Sequence, residues 1–224
     1  MFKPFLFQGI EIGVCWTTSS HVVFFGNNKG SLDLLTQAFP HLHFFQLTQI
    51  HSPLWVENSN TSPKADAHFT RKTHQALTIR TADCLPIMIT APGFAAAIHA
   101  GWRGLAQGVL LGLKEHLPRL DGAGALIGPH IGFCSFEVGQ EVVDAFGSFV
   151  SNYSLDSALA FGTHPAPGKG YVNLDYLAQG QLRSLGVPEV NSVETDTFVS
   201  DTYHSYRRDG SIAGRQISFV ARLS

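Results

Sequence analysis

The chain is poor in cysteine, methionine and charge, and each shortage excludes a class of protein. Its 224 residues include 3 Cys and 2 Met, and only 14% of them are charged. Three widely separated cysteines, at positions 15, 84 and 134, argue against a disulfide framework and favour a reducing compartment, so we expect a cytoplasmic protein. A net charge of −2 provides no general basic field for nucleic acid, and none is expected as a partner.

Long apolar runs and nucleotide-binding fingerprints are also missing. No stretch of about 18 apolar residues occurs, so we expect no transmembrane helix and no membrane partner. Residues 1–4 lack the apolar core and cleavage site of a secretory signal. The sequence contains neither Gly-x-Gly-x-x-Gly nor a phosphate loop ending in Gly-Lys-Ser/Thr. Any binding of nucleotides or phosphate must therefore use other residues.

Apolar residues are abundant enough to build a large core. They make up 44% of the chain and include 17 Phe. Strand-like and helix-like segments alternate without a regular βαβ order, which favours an α+β or mixed α/β sandwich over a doubly wound sheet. No linker, repeat or low-complexity tract interrupts the chain, and we predict one domain over residues 1–224.

Local patterns predict the order of the elements. Strands are predicted within 5–25, over 41–51, at 125–127 and over 216–220, and a loop over 151–169. Helices are predicted over 32–39 with Ser31 as cap, over 105–117, over 136–149, and over 174–185 with Asn173 as cap and Gly186 as end.

The most informative stretch is residues 81–104, where two apolar runs flank Pro92 and Gly93. Runs of this length around a Pro-Gly turn predict a β-hairpin. With these two residues at the centre of the turn, Pro86 pairs with His99. The residue two positions before Pro86 then points to the same face as His99, and a slip of one residue would separate them.

That residue is Cys84, and its diagonal neighbour across the predicted hairpin is His99, with Cα atoms about 7–8 Å apart. His51 stands at the end of the preceding predicted strand. Two imidazoles and a thiolate suit Zn²⁺ and could also hold copper. Three protein ligands leave a fourth position for water or substrate, as in catalytic sites. Two alternatives remain open, a Cys84 nucleophile with His99 as its base, and a buried structural pair.

Anion-binding groups occur close to these residues in the sequence. Arg103 follows His99, and Arg207 and Arg208 occur together near the end of the chain. Guanidinium groups pair with phosphate through two parallel hydrogen bonds. The predicted helix after residue 101 would also direct its N-terminus, which favours an anion, toward the site. A solvated surface pair is the alternative for Arg207 and Arg208.

Several motifs resemble one family in the same order. They are Thr81-Ala82-Asp83-Cys84-Leu85-Pro86, His99-Ala100-Gly101-Trp102-Arg103-Gly104, Ser205-Tyr206-Arg207-Arg208-Asp209-Gly210, and shorter segments at 47–51, 65–67, 127–132 and 136–139. The chain resembles the laccase-domain proteins, once described as multicopper polyphenol oxidases and now regarded as purine nucleoside phosphorylases.

The resemblance implies an α-β-β-α sandwich of mixed sheets and a zinc ion held by His51, Cys84 and His99. It also implies phosphorolysis of adenosine, inosine and guanosine to base and ribose 1-phosphate, with adenosine deamination as a second activity. Purine nucleosides and phosphate are the partners expected for such a protein, as a monomer or homodimer. Some bacterial members are linked to the correction of peptidoglycan precursors.

On this basis we predict two sets of site residues. The catalytic set is His51, Cys84, His99 and Asp83, with Asp83 stabilising an oxocarbenium-like transition state or positioning the sugar. The substrate-binding set is Gln49, Arg103, Arg207 and Arg208. Phosphate is expected near the metal, Arg103 and the helix N-terminus.

The chain also departs from the resembled family. Motifs that usually precede the Gln-x-His segment are not recognisable within 25–39, which leaves early substrate contacts undefined. Asp196 stands where many members have Cys, and His130 occupies a variable position. The hairpin is two residues shorter, but the loss of one residue from each arm keeps Cys84 and His99 on one face.

Three other functions are considered. A copper polyphenol oxidase needs several paired-histidine motifs, and the chain has one, at His41 and His43. A Cys-His hydrolase acting on peptidoglycan precursors would use Cys84 and His99 without a metal. A binding module without catalysis would follow from loss of the early motifs.

Overall fold

The computed structural model describes residues 2–224, which form strands and helices in a mixed order. The strands are β1 (Lys3–Phe7), β2 (Ile10–Thr17), β3 (His21–Gly26), β4 (His43–Phe45), β5 (Trp55–Glu57), β6 (Ala67–Thr70), β7 (Gln75–Thr81), β8 (Leu85–Ala91), β9 (Phe94–Ala100), β10 (Gly124–Ile127), β11 (Glu137–Gly139), β12 (Phe161–Thr163), β13 (Lys169–Val172), β14 (Glu189–Ser192) and β15 (Gln216–Arg222). The α-helices are α1 (Leu32–Ala38), α2 (Trp102–Ala106), α3 (Gly112–His116), α4 (Gln140–Ala145), α5 (Gly147–Asn152), α6 (Ser157–Ala160), α7 (Leu174–Leu185) and α8 (Tyr206–Asp209). Short 3₁₀ turns lie at Phe133–Ser135 and Gly210–Ile212.

Two six-stranded sheets pack face to face. The first has the order β1-β2-β3-β15-β7-β4, and the second has the order β14-β10-β8-β9-β6-β5. Each sheet contains both parallel and antiparallel pairs. A small third sheet has the strand order β11-β13-β12, and helices α4 to α6 lie between β11 and β12 in the sequence. The expectation of mixed sheets is thus confirmed.

Apolar side chains fill three layers of core. Between the sheets, Phe25 and Ile79 of the first sheet meet Met88 and Ala97 of the second. Helix α1 covers the outer face of the first sheet through Leu35. Helices α2 to α7 cover the outer face of the second, where the buried side chains belong to a cluster of thirty. The arrangement is the α-β-β-α sandwich that the resemblance implied.

The hairpin of β8 and β9 has the predicted register. Pro86 pairs with His99, and Ala91 pairs with Phe94 around the turn at Pro92 and Gly93. Gly93 has a left-handed φ of +72°, which glycine adopts without steric cost. All fourteen residues of the two strands are buried, so one register satisfies the core and a slip would not.

The predicted N-terminal caps of helices α1 and α7, and the predicted end of α7, are also confirmed. Ser31 accepts a hydrogen bond from the Leu34 N–H at the start of α1. Asn173 accepts one from the Tyr176 N–H at the start of α7, and Gly186 ends that helix with φ +95°. These ends follow from local chemistry, because a side-chain oxygen satisfies a free N–H and glycine tolerates the left-handed turn.

Other predicted boundaries are wrong. The helix expected over 105–117 is two short helices, α2 and α3, because Gly108 is left-handed at φ +88°. The carbonyl of Val109 accepts a 2.6 Å hydrogen bond from the Trp55 indole instead of a helical N–H. Leu105, Val109 and Leu113 are nevertheless fully buried, so the apolar spacing marked the buried face correctly but not the backbone.

Tertiary pairing explains the remaining differences. The helix expected over 136–149 begins as strand β11, which pairs with β13, and continues as α4 and α5. The expected loop over 151–169 contains α6 and β12. The strand expected over 41–51 is limited to β4, because the following backbone turns toward a buried carboxylate described below.

One buried histidine links stability to pH. His68 on β6 is 1% exposed, and its Nε2 has no hydrogen-bond partner among the described residues. Burial lowers the pKa of His68 to about 3, opposed in part by a hydrogen bond to the Thr78 backbone. The unfolded chain therefore takes up this proton first as the pH falls, and stability is lost between about pH 6.5 and about pH 3.

We predict that His68→Phe reduces this acid sensitivity. Between about pH 7 and about pH 5, the wild type should lose about 2 kcal/mol more unfolding free energy than the variant. Urea titrations at the two pH values measure the difference. His41→Phe, at an exposed histidine, is the control and should behave as the wild type. Equal losses in wild type and His68→Phe would contradict the assignment.

Candidate metal centre

The predicted trio of ligands meets at one end of the sandwich. His51, Cys84 and His99 each direct a ligand atom into a group whose members lie within 4.8 Å of one another. Cys84 Sγ lies 3.9 Å from His51 Nε2. The rings of His51 and His99 meet edge to face, with centroids 4.8 Å apart. Residues distant in sequence thus converge because β8 and β9 are paired and the loop after β4 folds over their ends.

A buried carboxylate, that of Asp66, holds two members of this group in place through hydrogen bonds. Asp66 has no exposed surface, and its oxygens accept hydrogen bonds from the N–H groups of Ile50 (3.1 Å), His51 (2.9 Å) and Ser52 (2.6 Å). They also accept from the Ser52 hydroxyl at 2.8 Å and from His99 Nδ1 at 2.8 Å. Because Nδ1 of His99 is committed to Asp66, its Nε2 is left to act as a ligand.

These contacts shift the pKa values of the site. Burial alone would raise the pKa of the Asp66 carboxyl, but hydrogen bonds from His99 and Ser52 outweigh it and lower the pKa to about 2. Burial would likewise raise the pKa of the Cys84 thiol, and the neighbouring His99 and His51 lower it to about 6. Against burial, the Cys84 thiolate and Asp66 raise the pKa of His99 to about 9. The neighbouring imidazoles therefore favour the thiolate form of Cys84, which is the form that binds metals.

The geometry fits a metal ion. With Zn–S near 2.3 Å and Zn–N near 2.0 Å, tetrahedral ligand atoms lie about 3.5 Å apart, close to the 3.9 Å between Cys84 and His51. Gly101 packs directly against the group, because a Cβ at this position would lie 3.0 Å from Cys84 Sγ and 2.9 Å from the His51 ring. Glycine is needed here for close approach rather than for an unusual φ, which is −71°.

The trio opens into a cleft of about 800 Å³. Strand ends from both sheets form its walls, because β7 ends and β15 begins where β8 begins and β9 ends. Four arginines line it: Arg80, Arg103, Arg207 and Arg215. Aromatic walls come from Trp102, Phe136 and Tyr206. A cationic cleft with flat apolar surfaces suits a ligand that combines an anion with a planar ring.

Two of these arginines have guanidinium groups free to bind an anion. Neither Arg80 nor Arg103 donates a side-chain hydrogen bond within the described chain, and Arg103 lies over the Trp102 ring at 4.3 Å. Arg207 lines the cleft but donates to the Glu137 carbonyl at 2.7 Å. Arg215 donates to two backbone carbonyls of its own loop.

Two predicted substrate residues have other partners in the structure. Gln49 lines the cleft, yet its side chain donates to the Arg80 carbonyl and accepts from the Arg80 N–H, at 2.8 and 2.9 Å. Arg208 is not among the residues lining the cleft. Its guanidinium donates to Asp209 and to several backbone carbonyls, including those of Phe198 and Tyr203. Its donors thus stabilise the loop that precedes Arg207, and a contact between Arg208 and substrate stays a prediction.

Asp83 also lines the cleft, but it is 8% exposed and its carboxylate already accepts two protein hydrogen bonds. The expected helix N-terminus is present at Gly101, although α2 has only five residues, so its contribution to anion binding is small.

Arg80 and Arg215 were missed by the sequence reasoning, and so was the role of Asp66. Arg80 directly precedes the Thr81 motif near the end of the buried strand β7. This position in the sequence indicates that Arg80 lies close to the site. No comparable signal marks Arg215.

The fold and the site together define a class of protein: a mixed-sheet sandwich with a His-Cys-His group that could hold a metal ion and that opens into an arginine-lined cleft. A profile described as multi-copper polyphenol oxidoreductase laccase matches residues 28–223. The chain belongs to this family.

Relatives with known names support the assignment. A Haemophilus influenzae protein named purine nucleoside phosphorylase is 33% identical over 210 residues, covering 87% of this chain and 83% of its own. A protein of an unknown prokaryote, named adenosine deaminase RL5, is 32% identical and covers 70% of this chain and 62% of its own. The crystal structure of a Neisseria meningitidis protein superposes with a TM-score of 0.85 at 28% identity, covering 96% of this chain and all of the other.

None of the described helices has the length and apolar character needed to span a bilayer.

We predict that Gly101→Ala weakens metal binding about tenfold to a hundredfold, the range seen when groups beside metal ligands change. The new methyl group would displace Cys84 Sγ or the His51 ring. Competition with a chromophoric chelator measures the affinity for Zn²⁺. Gly147→Ala is the matched control, because a Cβ there meets nothing within 4 Å. Metal affinity equal to wild type in Gly101→Ala would refute the close packing of the site.

Proposed function

We propose that this chain is a zinc-dependent purine nucleoside phosphorylase that converts adenosine, inosine and guanosine with phosphate to base and ribose 1-phosphate, and that deaminates adenosine as a second activity. The observation that carries the proposal is the opening of the His51, Cys84 and His99 group into a cleft lined by arginines. The names of the relatives, phosphorylase and deaminase, agree with it.

The cleft offers separate surfaces for the reactants. Arg80 and Arg103 supply donors for phosphate, since their guanidinium groups have no partner within the described chain. Trp102, Phe136 and Tyr206 supply apolar faces for the purine. The ribose then lies between them, where its carbon exchanges the base for phosphate. Holding both reactants in one cleft accounts for part of the acceleration.

The ligand set favours zinc over copper. Zn²⁺ bound by two imidazoles and a thiolate, with an open position, supplies Lewis acidity at the centre of the cleft. Asp66 keeps His99 oriented, and the two imidazoles lower the pKa of the Cys84 thiol, which favours the thiolate. The family description mentions copper, but within residues 2–224 one such group was found, and a multicopper centre needs more ligands.

A Cys-His hydrolase is the second candidate, because the lowered pKa of Cys84 beside His99 also describes an activated nucleophile. Its activity would survive removal of the metal. We also propose that the enzyme works in the cytoplasm, where reducing conditions preserve the thiolate, as a monomer or homodimer.

The decisive experiment combines metal analysis with product analysis. Wild-type protein incubated with adenosine and phosphate should hold about one zinc per chain and release adenine with ribose 1-phosphate, and some inosine. Cys84→Ala should lose both the zinc and the products, because one of three ligands is missing. A strong chelator should have the same effect on wild type. Bound copper with oxygen uptake, or activity that resists the chelator, would overturn the zinc-dependent proposal.

The phosphate site has its own prediction. Arg80→Met should raise the KM for phosphate about tenfold or more, because a charge-assisted hydrogen bond contributes roughly 1.5–3 kcal/mol. The KM for adenosine should change little. Arg119→Met serves as control, since Arg119 is exposed and pairs only with Asp121 among the described residues. Steady-state kinetics at varied phosphate test the assignment, and an unchanged phosphate KM would remove Arg80 from it.

A further inference from the structure

Asp83 has a backbone conformation that is rare for its residue type. Its φ is +89°, in the left-handed region that favours glycine. Such conformations persist only where surrounding contacts hold them, and they cluster at functional sites. Asp83 directly precedes the metal ligand Cys84, so the direction of the Cys84 side chain depends on this turn.

Three separate segments hold Asp83 in place. The buried Thr197 hydroxyl donates to Oδ1 at 2.7 Å. The N–H of Arg207 donates to Oδ2 at 2.7 Å. The N–H of Ile131 donates to the Asp83 carbonyl at 2.9 Å. Each carboxylate oxygen therefore has a protein donor, one from the loop after β14 and one from the start of α8, and the backbone carbonyl has a donor from the loop after β10.

Thr197 is itself fixed. It is 0% exposed, and its N–H donates to the His130 carbonyl at 2.9 Å. The hydroxyl is thus presented to Asp83 by backbone that has little freedom to move. The loop of residue 197 contributes no side chain to the cleft lining, so any effect of Thr197 on the site must pass through Asp83.

We propose that Thr197 is a positioning residue: its hydrogen bond to Asp83 maintains the left-handed turn that directs Cys84 toward the metal and places Arg207 at the cleft wall. Asp83 then acts mainly through the two protein hydrogen bonds that its carboxylate accepts. The proposal rests on the metal site of the proposed function, but it concerns metal binding before any substrate is present.

This role differs from a general contribution to stability. Thr78 is a matched case, because it is 2% exposed and its hydroxyl donates to the Phe45 carbonyl at 2.6 Å. Its hydrogen bond is partly buried and does not involve a residue adjacent to a metal ligand. Removal of either hydroxyl leaves an unsatisfied acceptor and destabilises the fold. Only removal of the Thr197 hydroxyl should change the metal site.

The experiment compares Thr197→Val, Thr197→Ser and Thr78→Val in three measurements: the thermal midpoint without metal, the affinity for Zn²⁺ by chelator competition, and the kinetics of phosphorolysis. Thr197→Val should weaken Zn²⁺ binding about tenfold and lower kcat, at the lower end of effects seen for residues around metal ligands. Thr197→Ser, which retains the hydroxyl, should restore both. Thr78→Val should lower the midpoint alone.

Asp83→Asn provides the second variant if Thr197→Val does not fold. The amide of this variant has one acceptor oxygen for the two protein donors, Thr197 and Arg207. The affinity for Zn²⁺, measured without substrate, should therefore fall again. Zn²⁺ affinity equal to wild type in either variant would overturn the positioning role, as would failure of Thr197→Ser to restore it. If wild type binds Zn²⁺ but does not cleave nucleosides, the proposed function fails while the positioning role is still decided by the affinities.

Discussion

The carboxylate of Asp66 is the interaction on which the metal centre depends. It is fully buried and accepts five hydrogen bonds, from the backbone of residues 50–52, the Ser52 hydroxyl and the His99 ring. Because an ionised group without partners would be costly to bury, the loop after β4 must fold over the end of β9. That fold brings His51 to His99, with His51 at a left-handed φ of +58°, and fixes which nitrogen of His99 faces the metal.

The second side of the site is organised by another buried carboxylate, that of Asp83, on the opposite flank of Cys84. The two acidic residues share one feature: each carboxylate accepts hydrogen bonds from segments distant in the sequence. His51 and His99 donate to Asp66, and Thr197 and Arg207 donate to Asp83. The cleft between them keeps cationic side chains. Arg208 has several protein partners and does not line the cleft, and Arg207 and Arg215 line it while donating to backbone carbonyls. Arg80 and Arg103 line it and donate no side-chain hydrogen bond in the described chain. Arg80 and Arg103 therefore have their side-chain donors available to a ligand.

Local chemistry explains what could be predicted and where prediction stopped. The hairpin register followed from a Pro-Gly turn between apolar runs, and both capped helices followed from side chains at their ends. The prediction of one helix over 105–117 was wrong, although its apolar spacing marked the buried face. The Trp55 indole donates a hydrogen bond to the Val109 carbonyl, and Gly108 turns the chain. Contacts between residues fifty positions apart leave no mark on a local pattern. The same limit hid Arg215, which directly precedes β15 and reaches the cleft because β15 pairs with β7.

The amino-acid sequence by itself determined the mixture of strands and helices and the hairpin that brings Cys84 and His99 to one face, because hydrophobic alternation and turn residues act locally. The layered sandwich was implied by the resemblance to the laccase-domain proteins. Only the tertiary structure decided which polar side chains are available in the cleft and which are hydrogen-bonded to other parts of the protein. Asp83 and Arg208 had the chemistry expected of substrate ligands, yet the folded chain supplies partners for both. The physical reason is that a hydrogen bond is a property of a pair, and the second member of each pair comes from a distant part of the chain.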